Sequence, residues 1–96
     1  MHNGAVSEDD WRITNQDAYL RDRTLRWTVW RAPRVEWDHD HCEFCWAEIS
    51  DRPLDDHTKY NEAWVTEDGK NWICQPCFVD FRERFGWMVA LDPPDA

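Results

Sequence analysis

Four cysteines constrain this chain more than any other feature. Cys42 and Cys45 form one C-x2-C pair and Cys74 and Cys77 form a second, with 28 residues between the pairs. Two thiolates separated by two residues can hold an ion from one tight turn, and two such pairs complete the tetrahedral shell of a structural zinc site. Four sulfurs close that shell and leave no position for water. The ion expected is therefore a single structural Zn2+ held by Cys42, Cys45, Cys74 and Cys77. Disulfides, redox-cycling thiols and bound iron are the competing readings. Disulfides fit poorly with a cytoplasmic chain, which is the expectation here: the opening MHNGAVSEDD has neither a cationic n-region nor an apolar h-region.

The second pair lies in a patterned context. Asp68-Gly69 is a hairpin turn signal joining residues 63–67 to residues 70–74. The register that follows sets Glu67 against Lys70, Val65 against Trp72 and Trp64 against Ile73. After Cys74 the period changes: Phe78, Phe81, Phe85 and Met88 recur at three- and four-residue steps, the mark of one helix face. Pro76 suits the first helical turn and Gly86 is a stop signal. A hairpin followed by C-x2-C where a helix begins predicts a treble-clef-like arrangement, with the second ligand pair at the positive end of the helix. A rubredoxin-like ribbon would place Gly after the second Cys of each pair, where this chain has Trp46 and Phe78.

The blocks WDHDHCEFCW (residues 37–46) and WICQPCFVDF (residues 72–81) resemble those of a family of small bacterial proteins with CEFCW and WICxxCF signatures around a zinc site. The likeness runs from about Asn15 to Trp87. It implies metal binding through the same four cysteines and a bacterial source, and it brings no reaction with it.

Upstream, residues 15–20 predict a short helical turn capped by Asn15 or Thr14. Residues 24–31 alternate as a half-buried strand, with Leu25, Trp27 and Val29 on one face. The expected whole is one small α+β domain over residues 12–91: N-terminal strand, zinc knuckle, β-hairpin and C-terminal helix. Residues 1–11 and 92–96 are expected to be disordered tails. So short a chain is marginal on core burial alone and should need its ion to fold.

Charge narrows the function. Twenty acids against eleven Lys and Arg give a net charge of −9, which disfavours a general grip on nucleic acid or on an anionic membrane. The balance is uneven. Residues 12–34 carry six Arg against Asp17 and Asp22, whereas residues 35–72 hold eleven acids and three bases. Arginines interleaved with Trp27 and Trp30 suit stacking on single-stranded bases; internal pairing with the acidic half is the simpler reading. The run from Asp38 to His41, just before Cys42, is expected either to make hydrogen bonds to sulfur or simply to sit solvated, with His41 the candidate to replace a ligand should one cysteine stay free. A second ion there is a weaker reading. The stretch from Ser50 to Glu62 reads as an exposed acidic loop. No nucleophile–base pairing stands out. Gly4, Gly69 and Gly86 form no phosphate loop. No catalytic or organic-cofactor site is therefore expected.

Eight Trp in 96 residues exceed what one small core readily holds. Trp64 and Trp72 should point to opposite sides of the hairpin, and an exposed Trp beside Arg has the character of a protein-binding hot spot. The function expected is a non-enzymatic, zinc-stabilised protein-interaction module. The alternatives are an acidic immunity-type inhibitor of a basic partner, a zinc-thiolate redox sensor, and a weak nucleic-acid binder acting through the Arg12–Arg34 stretch.

Overall fold

The computed structural model describes residues 10–91. Of the expected tails, Asp10 and Trp11 fall inside this range; residues 1–9 and 92–96 lie outside the described residues. The order of elements is α1 (Asp17–Leu20), β1 (Thr24–Val29), β2 (Asp40–His41), β3 (Glu48–Ile49), β4 (Thr58–Tyr60), β5 (Glu62–Thr66), β6 (Trp72–Ile73), α2 (Gln75–Phe85) and β7 (Met88–Leu91). Four strands form one mixed sheet in the order β6-β5-β1-β7, and β2-β3-β4 form a second. A single bridge between Cys42 and Trp72 joins the edge of the small sheet to β6. The class is α+β, with one long helix.

The hairpin pairs as its sequence predicts, Trp64 with Ile73 and Val65 with Trp72. Its closure differs. The Gly69 N–H donates to Thr66 O at 2.8 Å, and the Thr66 N–H donates to Asn71 O at 3.0 Å. The loop therefore spans residues 67–70, with Gly69 in the left-handed region at φ +78°. Glu67 does not pair with Lys70; Arg23 takes both Glu67 and Asp68, each at 3.1 Å. A guanidinium fork reaches two carboxylates that a lysine across a tight turn cannot.

Helix α2 follows Cys74 at its N-cap, carries Pro76 in its first turn and buries Cys77, Phe78, Phe81 and Phe85. Gly86 ends it at φ 65°. Its N–H bonds to Arg82 O and Glu83 O, and the Trp87 N–H also reaches Arg82 O. This double closure is a Schellman cap. A Cβ on Gly86 would lie 2.8 Å from Asp22 Oδ1, a side-chain end that would have to move, but it is the left-handed backbone angle that calls for glycine. Met88 consequently leaves the helix face expected for it: it opens β7, parallel to β1, and is 65% exposed.

Other expectations shift in detail. The residue preceding α1 is Gln16, not Asn15 or Thr14, and no side chain caps the turn. Strand β1 extends the hairpin sheet by pairing with β5, but burial fades along it, from Leu25 (buried) through Trp27 to Val29 (exposed). The acidic loop is exposed over residues 51–57, yet it ends in β4, and both Ser50 and Thr58 are buried. Trp64 and Trp72 are both buried although they lie on opposite faces of the hairpin. Residues Ala63 to Thr66 of β5 are all buried, so both faces of this sheet are covered. On the Trp64 side, Phe78 of α2 stacks at 4.1 Å between ring centroids and Trp87 continues the stack at 5.8 Å.

Candidate metal centre

The four predicted ligands converge. One ligand atom from each of Cys42, Cys45, Cys74 and Cys77 lies within 4.8 Å of all the others, and Cys45 Sγ and Cys74 Sγ are 3.6 Å apart. Zinc–sulfur bonds of about 2.3 Å set tetrahedral edges of about 3.8 Å. The sulfurs therefore suit one four-coordinate ion with little rearrangement. All four cysteines are free of disulfides, and only Cys45 is less than fully buried.

Each half of the site is shaped by local backbone chemistry. In the first, residues 42–47 turn back on themselves: the Trp46 N–H donates to Cys42 O at 3.1 Å and the Cys42 N–H to Ala47 O at 2.9 Å. The Phe44 N–H points at Cys42 Sγ at 3.4 Å. This knuckle closes with Trp46 at φ +69°, the left-handed angle that glycine adopts without cost. The absence of glycine after Cys45 therefore does not prevent the turn; Trp46 carries the strain. In the second half, Cys74 precedes α2 and Cys77 sits in its first turn, where the helix dipole favours thiolates. The two halves lock through Phe44. It is buried between the two ligands of its own turn and meets Phe81 at 4.6 Å and Phe85 at 5.4 Å.

The sulfurs share protons unequally. Thiol groups of Cys74 and Cys77 that bond to Cys42 hold the Cys42 thiol far below its ordinary range, and the same bonds push Cys74 and Cys77 up. A dication displaces the remaining protons. Two further donors face sulfur: the Cys74 N–H to Cys42 Sγ at 3.5 Å and Arg12 Nη1 to Cys77 Sγ at 3.6 Å.

Several supporting residues carry no sequence signal of their own. Gln16 is buried and binds four backbone groups: its Oε1 accepts from the Thr14 and Asn15 N–H groups, and its Nε2 donates to Arg12 O and to Glu43 O in the knuckle. Glu43 also accepts from the Tyr19 hydroxyl at 2.8 Å and from Asn71 Nδ2 at 3.1 Å. The N-terminal segment thus straps the knuckle. A polar residue just ahead of a four-residue helix gives no periodic pattern to read, which is why these roles are visible only in the fold.

Of the two readings of the histidine run, the structure shows no bond from it to sulfur among the described residues and leaves His41 in solvent. The bonds to sulfur come from the backbone and Arg12, while Asp40 Oδ2 accepts the indole N–H groups of Trp30 (2.9 Å) and Trp37 (3.1 Å). His41 is exposed whereas Cys42 is buried, and four converging sulfurs leave it no ligand to replace. Of the six arginines from Arg12 to Arg34, Arg12, Arg21, Arg23 and Arg34 pair with carboxylates.

A comparison with protein-family models, with curated proteins and with solved structures finds no match. The resemblance of the two cysteine blocks thus stands on those residues alone. Fold and site together define a small α+β domain whose four cysteines are positioned to bind one metal ion.

Proposed function

We propose that this chain is a zinc-stabilised, treble-clef-like module of a bacterial cytoplasm that binds a partner protein and catalyses no reaction. The ion is structural, because four sulfurs fill its shell and three of them are buried. The treble-clef reading draws on the knuckle, the hairpin and the helix-borne Cys77 occurring in that order. Among the described residues no helix is long and apolar enough to cross a membrane.

The observation that carries the binding role is a cleft of about 550 Å3 between residues 31–40 and the hairpin tip. Arg31, Pro33, Arg34, Trp37, Asp40 and Lys70 line it. Trp37 is 38% exposed, and the Arg34 guanidinium lies 5.4 Å over its ring. Trp and Arg in a concave pocket are the residue types that dominate binding energies. Asp40 and Asp68 also line the cleft, where the three cations Arg31, Arg34 and Lys70 outnumber these two acids. In a chain of net charge −9 this local basic rim fits an acidic segment of a partner.

The test compares capture from the native host by zinc-loaded wild type and by a Trp37→Ala/Arg34→Glu variant of equal zinc content. Loss of one specific partner in the variant supports the cleft. A partner retained by this variant, but lost on neutralising Asp51, Asp55 and Asp56, would instead favour the acidic-inhibitor reading.

A further inference from the structure

Strand geometry gathers a second set of metal-binding side chains on an exposed face. His39 and His41 are two residues apart on the segment entering β2, so their side chains share a side. His41 pairs directly with Glu48 of β3, which brings the carboxylate to the same face. One ligand atom from each of His39, His41 and Glu48 lies within 4.8 Å of the other two. The imidazole rings meet edge to face at 4.8 Å. Cys42 follows His41 and is buried while His41 is exposed, so this cluster faces away from the four sulfurs.

The surroundings orient these groups as metal ligands are oriented. Asp38 Oδ1 lies 2.6 Å from His39 Nδ1, leaving Nε2 as the nitrogen available to a metal. This carboxylate–histidine pairing is the usual support behind a coordinated imidazole. Asp38 is itself held by Arg52 Nη2 at 2.7 Å. The buried Thr58 hydroxyl donates to Glu48 Oε2 at 2.7 Å and fixes the second ligand type.

We propose that His39, His41 and Glu48 form a second zinc site, independent of the four cysteines. Its fourth position is open to water or to a donor group from another molecule. Two imidazoles and one carboxylate are a donor set that zinc takes where three protein ligands leave a vacancy. Bonds of about 2.0–2.1 Å set tetrahedral edges near 3.4 Å, and the exposed His41 side chain has the freedom to close the remaining gap. Ions later in the divalent series, copper above all, compete for the same donors. Where the four-sulfur site is closed and permanent, this one is exchangeable.

The experiment is a zinc titration at neutral pH of full-length protein already holding one equivalent, read by calorimetry and repeated with cobalt. Wild type should take up a second stoichiometric equivalent, and the second cobalt should add d–d absorption without new thiolate charge-transfer bands. His39→Ala and Glu48→Gln should each weaken the second equivalent at least about tenfold, and Asp38→Asn about 10–100-fold. The first equivalent and the circular dichroism should not change. His39 lies outside the strands, so its variant tests the site even if Glu48→Gln disturbs β3. A wild type that stops at one equivalent overturns the proposal, as does a second equivalent indifferent to His39→Ala. Failure of the first equivalent would instead count against the four-cysteine reading.

Discussion

The Arg12 guanidinium lies 3.6 Å from the Cys77 sulfur. It reaches across 65 residues of chain to place a positive charge beside a cluster that carries a net negative charge when four thiolates bind one dication. Asp10 and Asp80 hold the same guanidinium at 2.7 and 2.9 Å, and its plane lies 4.5 Å over the Phe81 ring. Arg12 is therefore fixed beside the sulfur cluster by contacts of its own. Arg12→Met keeps an apolar stem of similar length over Phe81 and removes only the charge and the N–H donors. The expected result is zinc transfer to a chromophoric chelator about tenfold faster than in wild type, the scale found for groups that support ligands from outside the coordination shell. An unchanged transfer rate would show that the contact does not reach the metal.

Removing the ion should cost the fold. The knuckle and helix α2 meet through the sulfurs and through Phe44, and a domain of this size has little other core to hold them together. Chelation at neutral pH should collapse both the helical circular dichroism and the tryptophan environment, with recovery on returning zinc. Proton bookkeeping makes the affinity depend on pH. Cys74 and Cys77 are pushed up and hold their protons until the metal expels them, so apparent affinity rises with pH and falls on acidification. Zinc binding should therefore release protons, read as an observed binding enthalpy that varies with the ionisation enthalpy of the buffer. An enthalpy independent of the buffer would show that no thiol proton is displaced.

The cysteines, the hairpin register and the helix stripe were legible because each rests on a short-range rule: ligand spacing, two-residue pairing, or a helical period. Gly86 stopped α2 as its backbone freedom demands, and that same stop moved Met88 into β7. What the sequence could not display were contacts made across long separations. Gln16 and Glu43 are linked at a separation of 27 residues, and Trp87 Nε1 reaches Leu20 O across 67. Trp72 was expected to strain the core because only the hairpin was in view. In the fold the Cys42 turn bridges to Trp72, 30 residues further along the chain, a neighbour that the hairpin alone does not reveal. The pairing of His41 with Glu48 was hidden for the same reason, since strands of two residues carry no readable alternation.

Trp46 offers a test of strain. Its φ of +69° closes the knuckle, and its side chain is 66% exposed, so packing returns little for the unfavourable angle. A left-handed angle costs a non-glycine residue about 1–2 kcal/mol, partly offset in Trp46→Gly by the greater freedom of glycine in the unfolded chain. The expected outcome is a zinc-loaded variant about 1 kcal/mol more stable than wild type, read as a higher denaturant midpoint at unchanged slope. A destabilised variant would show that the indole contributes more by contact than its exposure suggests. The ring lies 6.3 Å from that of His41, an aromatic neighbour placed to supply such a contribution.

Tyr19 links the N-terminal strap to the knuckle and makes the fold sensitive to alkaline pH. Partial burial and its bond to Glu43 raise its hydroxyl pKa from 10.0 to about 12. A folded-state pKa above the unfolded value means that the folded chain holds the proton more tightly. The stabilisation is complete below pH 10 and disappears as pH climbs towards 12, where the hydroxyl ionises and sets a phenolate against the Glu43 carboxylate. Tyr60 is raised as well, first by burial and then by the nearby thiolates. Neither tyrosine should therefore show tyrosinate absorbance at its ordinary midpoint while the zinc-loaded fold persists. Denaturant midpoints measured from pH 9 to pH 12 should fall across the upper part of that range in wild type, and by a smaller amount in Tyr19→Phe, which has no proton to lose. Equal alkaline losses in the two proteins would place the sensitivity elsewhere and remove Tyr19 from the strap that holds Glu43.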